Sequence, residues 1–222
     1  MSTPAELSVR APSPLSVRPS VPLSMRLWQA SADQADAALR HPFVRGLADG
    51  SLPREAFQGY VAQDAFFLEC FARAYALALA RSTDRPTLEA FADLLAGVRE
   101  ELRLHAAYAR EWGVSTDGTV PVAATSAYTD FLLATAALGD VGPVCAAMTP
   151  CMRLYAHLGQ ALDPEQAGPY AAWVRTYADP GFDALAATLE DLLDRHAADD
   201  VRTAAVYRRA MDLELAFFDA SL

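Results

Sequence analysis

Cysteine is scarce in this chain, basic residues are outnumbered, and long apolar runs are missing. The three cysteines, Cys70, Cys145 and Cys151, lie in apolar stretches and form no CxxC pair. An odd thiol count without a secretory signal argues against a disulfide framework and for reduced thiols in the cytoplasm. No uncharged apolar run reaches the roughly 18–20 residues that a membrane span needs. The stretch 131–138 is among the most apolar and is far too short. Lys and Arg total 18 against 28 Asp and Glu, for a net charge of -10. Nucleic-acid binding depends on neutralising phosphates, so an acidic chain without a basic stripe is a poor candidate for it.

What is present is a globular composition, 53% hydrophobic and 21% charged over 222 residues. That is enough for one domain with a sizeable core. Residues 1–24 stand apart. They are rich in Pro and Ser and carry an imperfect repeat, LSVR at 7–10 and 15–18, then LSMR at 23–26. Such a segment cannot build a core and has no continuous apolar region of the signal-peptide kind. It is expected to be a disordered extension, followed by a single helical domain over 25–222.

From Leu27 onward the apolar residues recur at helix spacing, and Ala, Leu, Arg and Glu dominate. The pattern predicts helices over about 26–38, 53–81, 86–112, 123–138, 140–162, 166–178, 180–197 and 199–220. HPFVRGLADGSLP (41–53) reads as a break punctuated by Gly46, Gly50 and Pro53, with Ser51 capping the helix that follows. No repeat period appears, which argues against a solenoid. The expectation is an all-α, compact multi-helix bundle.

Several polar residues sit where apolar ones are the rule. In TPCMRLYAHLG (149–159), Cys151 and Tyr155 are four apart and share a helix face. A phenol there can hydrogen-bond a thiol, and a thiol near a helix N-terminus would be biased toward thiolate. Free cysteines usually just pack, so this segment alone does not make Cys151 reactive. In YVAQDAFF (60–67), Tyr60 and Asp64 share a face that Phe67 and Phe71 continue. A carboxylate among aromatics needs a partner: a ligand edge, a helix end or a buried Arg. Glu214 in MDLELAFFDA (211–220) is a second acid on a mostly apolar helix, although Asp212 and Asp219 show that this helix has a wet side. Tyr128 and Tyr177 are further candidates, since a buried hydroxyl needs a partner in a ligand or in the core. Glu101 and His105 invite a di-metal reading. Their spacing is Glu-x-x-x-His and no second copy exists, so no metal is expected.

Taken together, these segments resemble the TenA family, the thiaminase II enzymes. The resemblance runs from about Leu27 to Leu222. It is carried by HPFVRGLADGSLPREAFQGYVAQD (41–64), ELRLHAAYAREWGV (101–114), SAYTDFL (126–132), TPCMRLYAHLG (149–159), WVRTYADPGF (173–182) and LELAFFDA (213–220). It implies a haem-oxygenase-like bundle without haem, metal or other cofactor, assembled as a homotetramer of paired dimers. It also implies hydrolysis of 4-amino-5-aminomethyl-2-methylpyrimidine to the hydroxymethylpyrimidine in thiamine salvage, with cleavage of thiamine itself in many members.

Position by position, the resemblance makes Cys151 the nucleophile. It gives the pyrimidine edge to Asp64, and the amino group and proton transfers to Glu214. Tyr128 would stack on or line the pocket, and Tyr155 and Tyr177 would surround thiol and ring. One position departs from the pattern: many members have Tyr where this chain has Phe67, which removes a hydroxyl from the thiol's surroundings. The competing readings are a non-catalytic pyrimidine-binding or regulatory protein, and a cofactor-biosynthesis oxidase on the same fold.

Overall fold

The computed structural model describes residues 21–222, so most of the expected disordered extension, residues 1–20, lies outside the described residues. Within them the chain forms helices α1 Leu23–Ala30, α2 Ala32–Arg40, α3 Pro42–Asp49, α4 Arg54–Arg81, α5 Arg85–Trp112, α6 Ala123–Leu138, α7 Val141–Ala161, α8 Ala171–Ala178, α9 Pro180–His196 and α10 Val201–Asp219, with no strand among them. A single 3-10 turn, Gly168–Tyr170, leads into α8. The all-α class is as the sequence predicts.

Local chemistry explains both the matches and the differences. Asp84 caps α5 by accepting from the Thr87 N–H, and Gly113 closes that helix in the left-handed region at φ 68°. Asp179 and Asp200 cap α9 and α10 in the same way. The first helix starts earlier than expected. Ser24 belongs to it, and its N–H and hydroxyl both donate to Asp194 on α9, at 2.7 and 2.9 Å. The expected helix over 26–38 is two helices, because Ser31 turns the chain while its N–H donates to the Trp28 carbonyl.

The expected break over 41–53 instead contains α3. His41 Nδ1 accepts from the Phe43 N–H, Pro42 fits the first turn, and Phe43, Val44 and Leu47 are buried. Gly46, read as punctuation, is a helical residue in close contact with Leu52. Ser51 is not the cap of α4. It bonds Asp49, and Pro53 holds the cap position without a side-chain hydrogen bond.

α7 is the central helix, with 15 of its 21 residues buried, so it is apolar on nearly every side. It packs on α8, α9 and α10, while α4 packs on α5 and α6 and also reaches α7. Two glycines allow its close contacts. A Cβ on Gly159 would lie 2.3 Å from the Tyr177 carbonyl carbon, and one on Gly142 would lie 2.4 Å from the His196 oxygen. Gly159 therefore sets how near the end of α8, and with it Tyr177, comes to α7. No described helix is long and apolar enough to cross a membrane.

Gly159→Ala is expected to destabilise the fold by about 1–3 kcal/mol or more, the usual cost of forcing atoms into a packed interior. Gly59→Ala, exposed on α4 with nothing within 4 Å of the added carbon, should instead stabilise by up to about 1 kcal/mol through helix propensity. Urea midpoints at constant slope measure both. Equal effects at the two positions would refute the contact argument.

Candidate active site

Asp64 sits on the buried face of α4 with Tyr60, Phe67 and Phe71, the stripe the sequence spacing predicts. Its partner is neither a helix end nor an arginine. His105 on α5 places Nε2 2.5 Å from Asp64 Oδ2, and both side chains are about 5% exposed or less. The other ring nitrogen, Nδ1, is 3.0 Å from the Glu101 carbonyl oxygen. Both nitrogens thus face acceptors, which suits a ring carrying both protons. Burial opposes the imidazolium, but the Asp64 and Glu101 carboxylates outweigh it and hold His105 at about 9.

Glu101 lies one turn before His105, and its Oε1 accepts from the Tyr177 hydroxyl at 2.9 Å. Burial pushes its carboxyl up to about 7; the His105 charge pulls it down and the Asp64 charge pushes it up. Glu214 on α10 is the third acid. It is 1% exposed and accepts from the Tyr128 hydroxyl at 2.6 Å. Burial takes it to about 7 as well, against hydrogen bonds from Tyr128 and the Cys151 thiol that favour its ionised form. These three acids, one paired with imidazolium and two titrating near neutrality, are the polar content of the site.

Cys151 lies in the middle of α7, with Pro150 inside the helix. The sequence-based argument from a helix N-terminus therefore does not apply. Burial pushes the thiol well above its ordinary range, and the charges of Glu214, Glu101 and Asp64 push it the same way. It is nevertheless the one cysteine of the three that is not fully buried, because it faces a cavity. That cavity is nearly closed, at about 10 Å³, with Asp64, Phe67, Glu101, Cys151, Tyr155 and Tyr177 in its wall.

The aromatic side chains form a connected cage. Tyr155 meets Tyr177 edge to face at 4.7 Å, and Tyr177 meets Trp173 at 4.8 Å and Phe182 at 5.0 Å. Trp173 Nε1 donates to the Tyr60 hydroxyl, which donates to the Tyr155 hydroxyl, at 3.2 and 3.3 Å. Phe67 packs on Tyr128 at 4.8 Å.

Five of the seven residues singled out by sequence thus share one cavity wall. Glu214 and Tyr128 do not line it. They stand behind it, joined to it through the Cys151 thiol and Phe67. Sequence reasoning set aside Glu101 and His105 once their spacing failed as a metal motif. The signal that identifies them is the need of a buried Asp64 for a cationic partner, met by a helix that puts a histidine and a glutamate four apart.

Comparison with known proteins bears on this geometry. The profile of the TENA/THI-4/PQQC family matches residues 28–222. The mitochondrial bifunctional TH2 protein of Arabidopsis thaliana is 35% identical over 88% of this chain, which spans 36% of that protein. The aminopyrimidine aminohydrolase of Halalkalibacterium halodurans is 35% identical over 73% of this chain and 76% of its own length. Among solved structures, a TenA family transcription regulator from Silicibacter superposes with a TM-score of 0.83 at 30% identity, covering 90% of this chain and 96% of its own. A TenA homologue from P. horikoshii gives 0.81 at 25% identity, covering 90% and 98%.

The burial of Glu214 makes a prediction about stability. Its folded value of about 7 lies above the ordinary 4.5. The stability it contributes is full below about 4.5 and is lost as pH rises through about 7. Glu214→Gln, which removes the ionisation, should therefore be more stable than the unaltered protein at pH 8, by up to about 3 kcal/mol. The difference should mostly close at pH 5. Denaturant midpoints at the two pH values check this; a gap independent of pH would contradict it.

Proposed function

Because this chain belongs to the TENA/THI-4/PQQC family, we propose that it is an aminopyrimidine aminohydrolase of thiamine salvage, a thiaminase II acting through Cys151. The substrate on this reading is 4-amino-5-aminomethyl-2-methylpyrimidine, with thiamine as a second substrate. The observation that carries the proposal is the arrangement around the thiol. Cys151 opens onto an aromatic cavity whose wall also holds Asp64 and Glu101, with Glu214 against the sulfur from behind.

The steps follow from the residues. The inner cavity, at about 10 Å³, is far smaller than a pyrimidine, so on this reading Phe67, Tyr155, Tyr177 and the Met152–Phe182 side move apart as the flat ring enters between them. Asp64, held by His105, receives the N–H groups of the ring's amino edge. The resting thiol is neutral, so it needs a base at the moment of attack. Glu214 takes its proton as sulfur bonds the ring carbon next to the one carrying the aminomethyl group. Addition breaks the ring's aromaticity. The aminomethyl nitrogen is protonated as the ammonium, so electrons from the ring amino group push it out as ammonia with the carbon–nitrogen pair, and the Asp64 carboxylate stabilises the iminium charge this places on the ring amino group. Water adds to the exocyclic carbon, the sulfur–carbon bond breaks, and the thiolate recovers its proton from Glu214. Covalent addition thereby divides one difficult displacement into easier steps.

Phe67 brings no hydroxyl to the thiol, and on this reading Glu214 carries the thiol's proton. The three free cysteines suit a reducing, cytoplasmic setting. Assembly as a tetramer of paired dimers belongs to the same proposal, and the exposed Leu138, Val201 and Val120 are apolar surface that such contacts would cover.

Incubation with the aminomethylpyrimidine should yield ammonia and hydroxymethylpyrimidine, and Cys151→Ser should lower kcat by at least about 10³-fold. Undiminished turnover by that variant would remove Cys151 from the mechanism. Binding without turnover by the unaltered protein would favour the pyrimidine-binding regulator instead. Because the ionised form of Glu214 accepts the thiol proton, the limb of the rate profile governed by that group should rise with pH toward about 7. Glu214→Gln should abolish that limb along with most of the activity.

A further inference from the structure

Glu101 has no part in the steps above, yet it holds the most exposed position of the three acids. It lines the inner cavity and also an outer cleft of about 680 Å³. Met152 and Phe182 are likewise shared between the two spaces, so these three side chains form the partition between them. Glu214 borders neither. The Tyr177 hydroxyl fixes Glu101 Oε1, and no other group among the described residues bonds this carboxyl. One oxygen is therefore held in place and the other is free at the throat between ring site and cleft. Most of the cleft wall is apolar, with Leu94, Val98 and Leu104 in it.

Given the hydrolase reading, the group at this throat meets whatever leaves the exocyclic carbon and whatever arrives to replace it. We infer that Glu101 is the base that activates water in the second half of the reaction. Its free oxygen takes a proton as the water oxygen bonds the exocyclic methylene carbon, and the electron pair displaced from that methylene returns to the ring and expels the Cys151 thiolate. The ammonia released in the first half leaves through the outer cleft, and the water reaches the carbon from the same side. A carboxyl held near 7 by burial is available in its basic form at neutral pH and is basic enough to assist. The two glutamates thereby divide the labour: Glu214 serves the sulfur at the closed end and Glu101 serves the water at the open end.

The test uses Glu101→Gln, which keeps an acceptor for Tyr177, with the aminomethylpyrimidine as substrate. The first half should survive. Ammonia should appear in a burst of about one equivalent per site, followed by turnover about 10²- to 10⁴-fold slower than the unaltered protein, with a pyrimidine adduct on Cys151 in the intact mass. Azide, a nucleophile that needs no base, should restore release and give the azidomethylpyrimidine. A structural defect would not be rescued by azide. If the variant is insoluble, Glu101→Asp takes its place, with the same burst and a smaller loss. Loss of the burst together with turnover, an unchanged kcat, or failure of azide to rescue would each overturn the inference. An unaltered protein that hydrolyses no aminopyrimidine would overturn the functional proposal itself, and this inference with it.

Discussion

The contact on which the rest of the site depends is the buried pair between Asp64 and His105. Three carboxyl groups converge on one apolar interior, where each unpaired charge is costly and the Asp64 charge raises both glutamates. His105 is the cation that this interior holds, and it is fixed at both nitrogens, by Asp64 on one side and the Glu101 carbonyl on the other. Its pairing with Asp64 leaves Glu101 and Glu214 without a cation of their own, bonded by the hydroxyls of Tyr177 and Tyr128 and, at Glu214, by the Cys151 thiol. A hydroxyl can bond a carboxyl in either protonation state, so it fixes position without fixing charge. Both acids consequently titrate near 7. Breaking the central pair would leave an uncompensated buried charge and disturb all three acids together.

The packing that encloses these acids is specific. α7 is buried on nearly all sides, and Gly159 brings it against the end of α8, so Tyr155 and Tyr177 meet edge to face at 4.7 Å. The chain of hydrogen bonds from Trp173 through Tyr60 to Tyr155 uses polar atoms that would otherwise be orphaned in the core. The aromatic cage thus has two roles. It surrounds the thiol with flat faces, and it keeps Asp64 and Glu214 from water. The stability lost by burying these acids accompanies the reactivity gained, as at many active sites.

The fold was largely legible in the sequence because long amphipathic periods and strong terminal signals agreed over α4, α5, α6, α7, α9 and α10. It was misread where signals were short. In α3, Gly46 looked like a breaker but is a helical contact site, and Pro42 fits the first turn. At Ser31 a single turn divides one amphipathic pattern into two helices. For the candidate site, Cys151, Asp64, Tyr155, Tyr177 and Phe67 could be placed together by resemblance, with helix spacing in support. His105 and Glu101 could not, because their meaning lies in a contact between α4 and α5 that no local period encodes. The surroundings of the thiol were misjudged in one respect: a helix N-terminus was offered as a source of thiolate bias, whereas the helix expected over 140–162 runs straight through Cys151.

That last difference changes how the thiol has to work. A cysteine at a helix N-terminus or beside a cation can rest as thiolate and waits only for its electrophile. Cys151 has the opposite environment: no helix end, an apolar wall and three acids nearby. A resting thiolate there would be a further negative charge among carboxyls, so the sulfur stays protonated until a substrate arrives. The thiol can become a nucleophile only if its proton moves to a nearby base as the new bond forms, and Glu214 is the acid whose charge acts most strongly on it. A ring that carries its own positive charge, or gains it during addition, lowers the cost of that transfer because it offsets the acids around it. On the proposed function, selectivity for a cationic or readily protonated pyrimidine would then follow from the electrostatics of the cavity, before any hydrogen bond to the ring is counted.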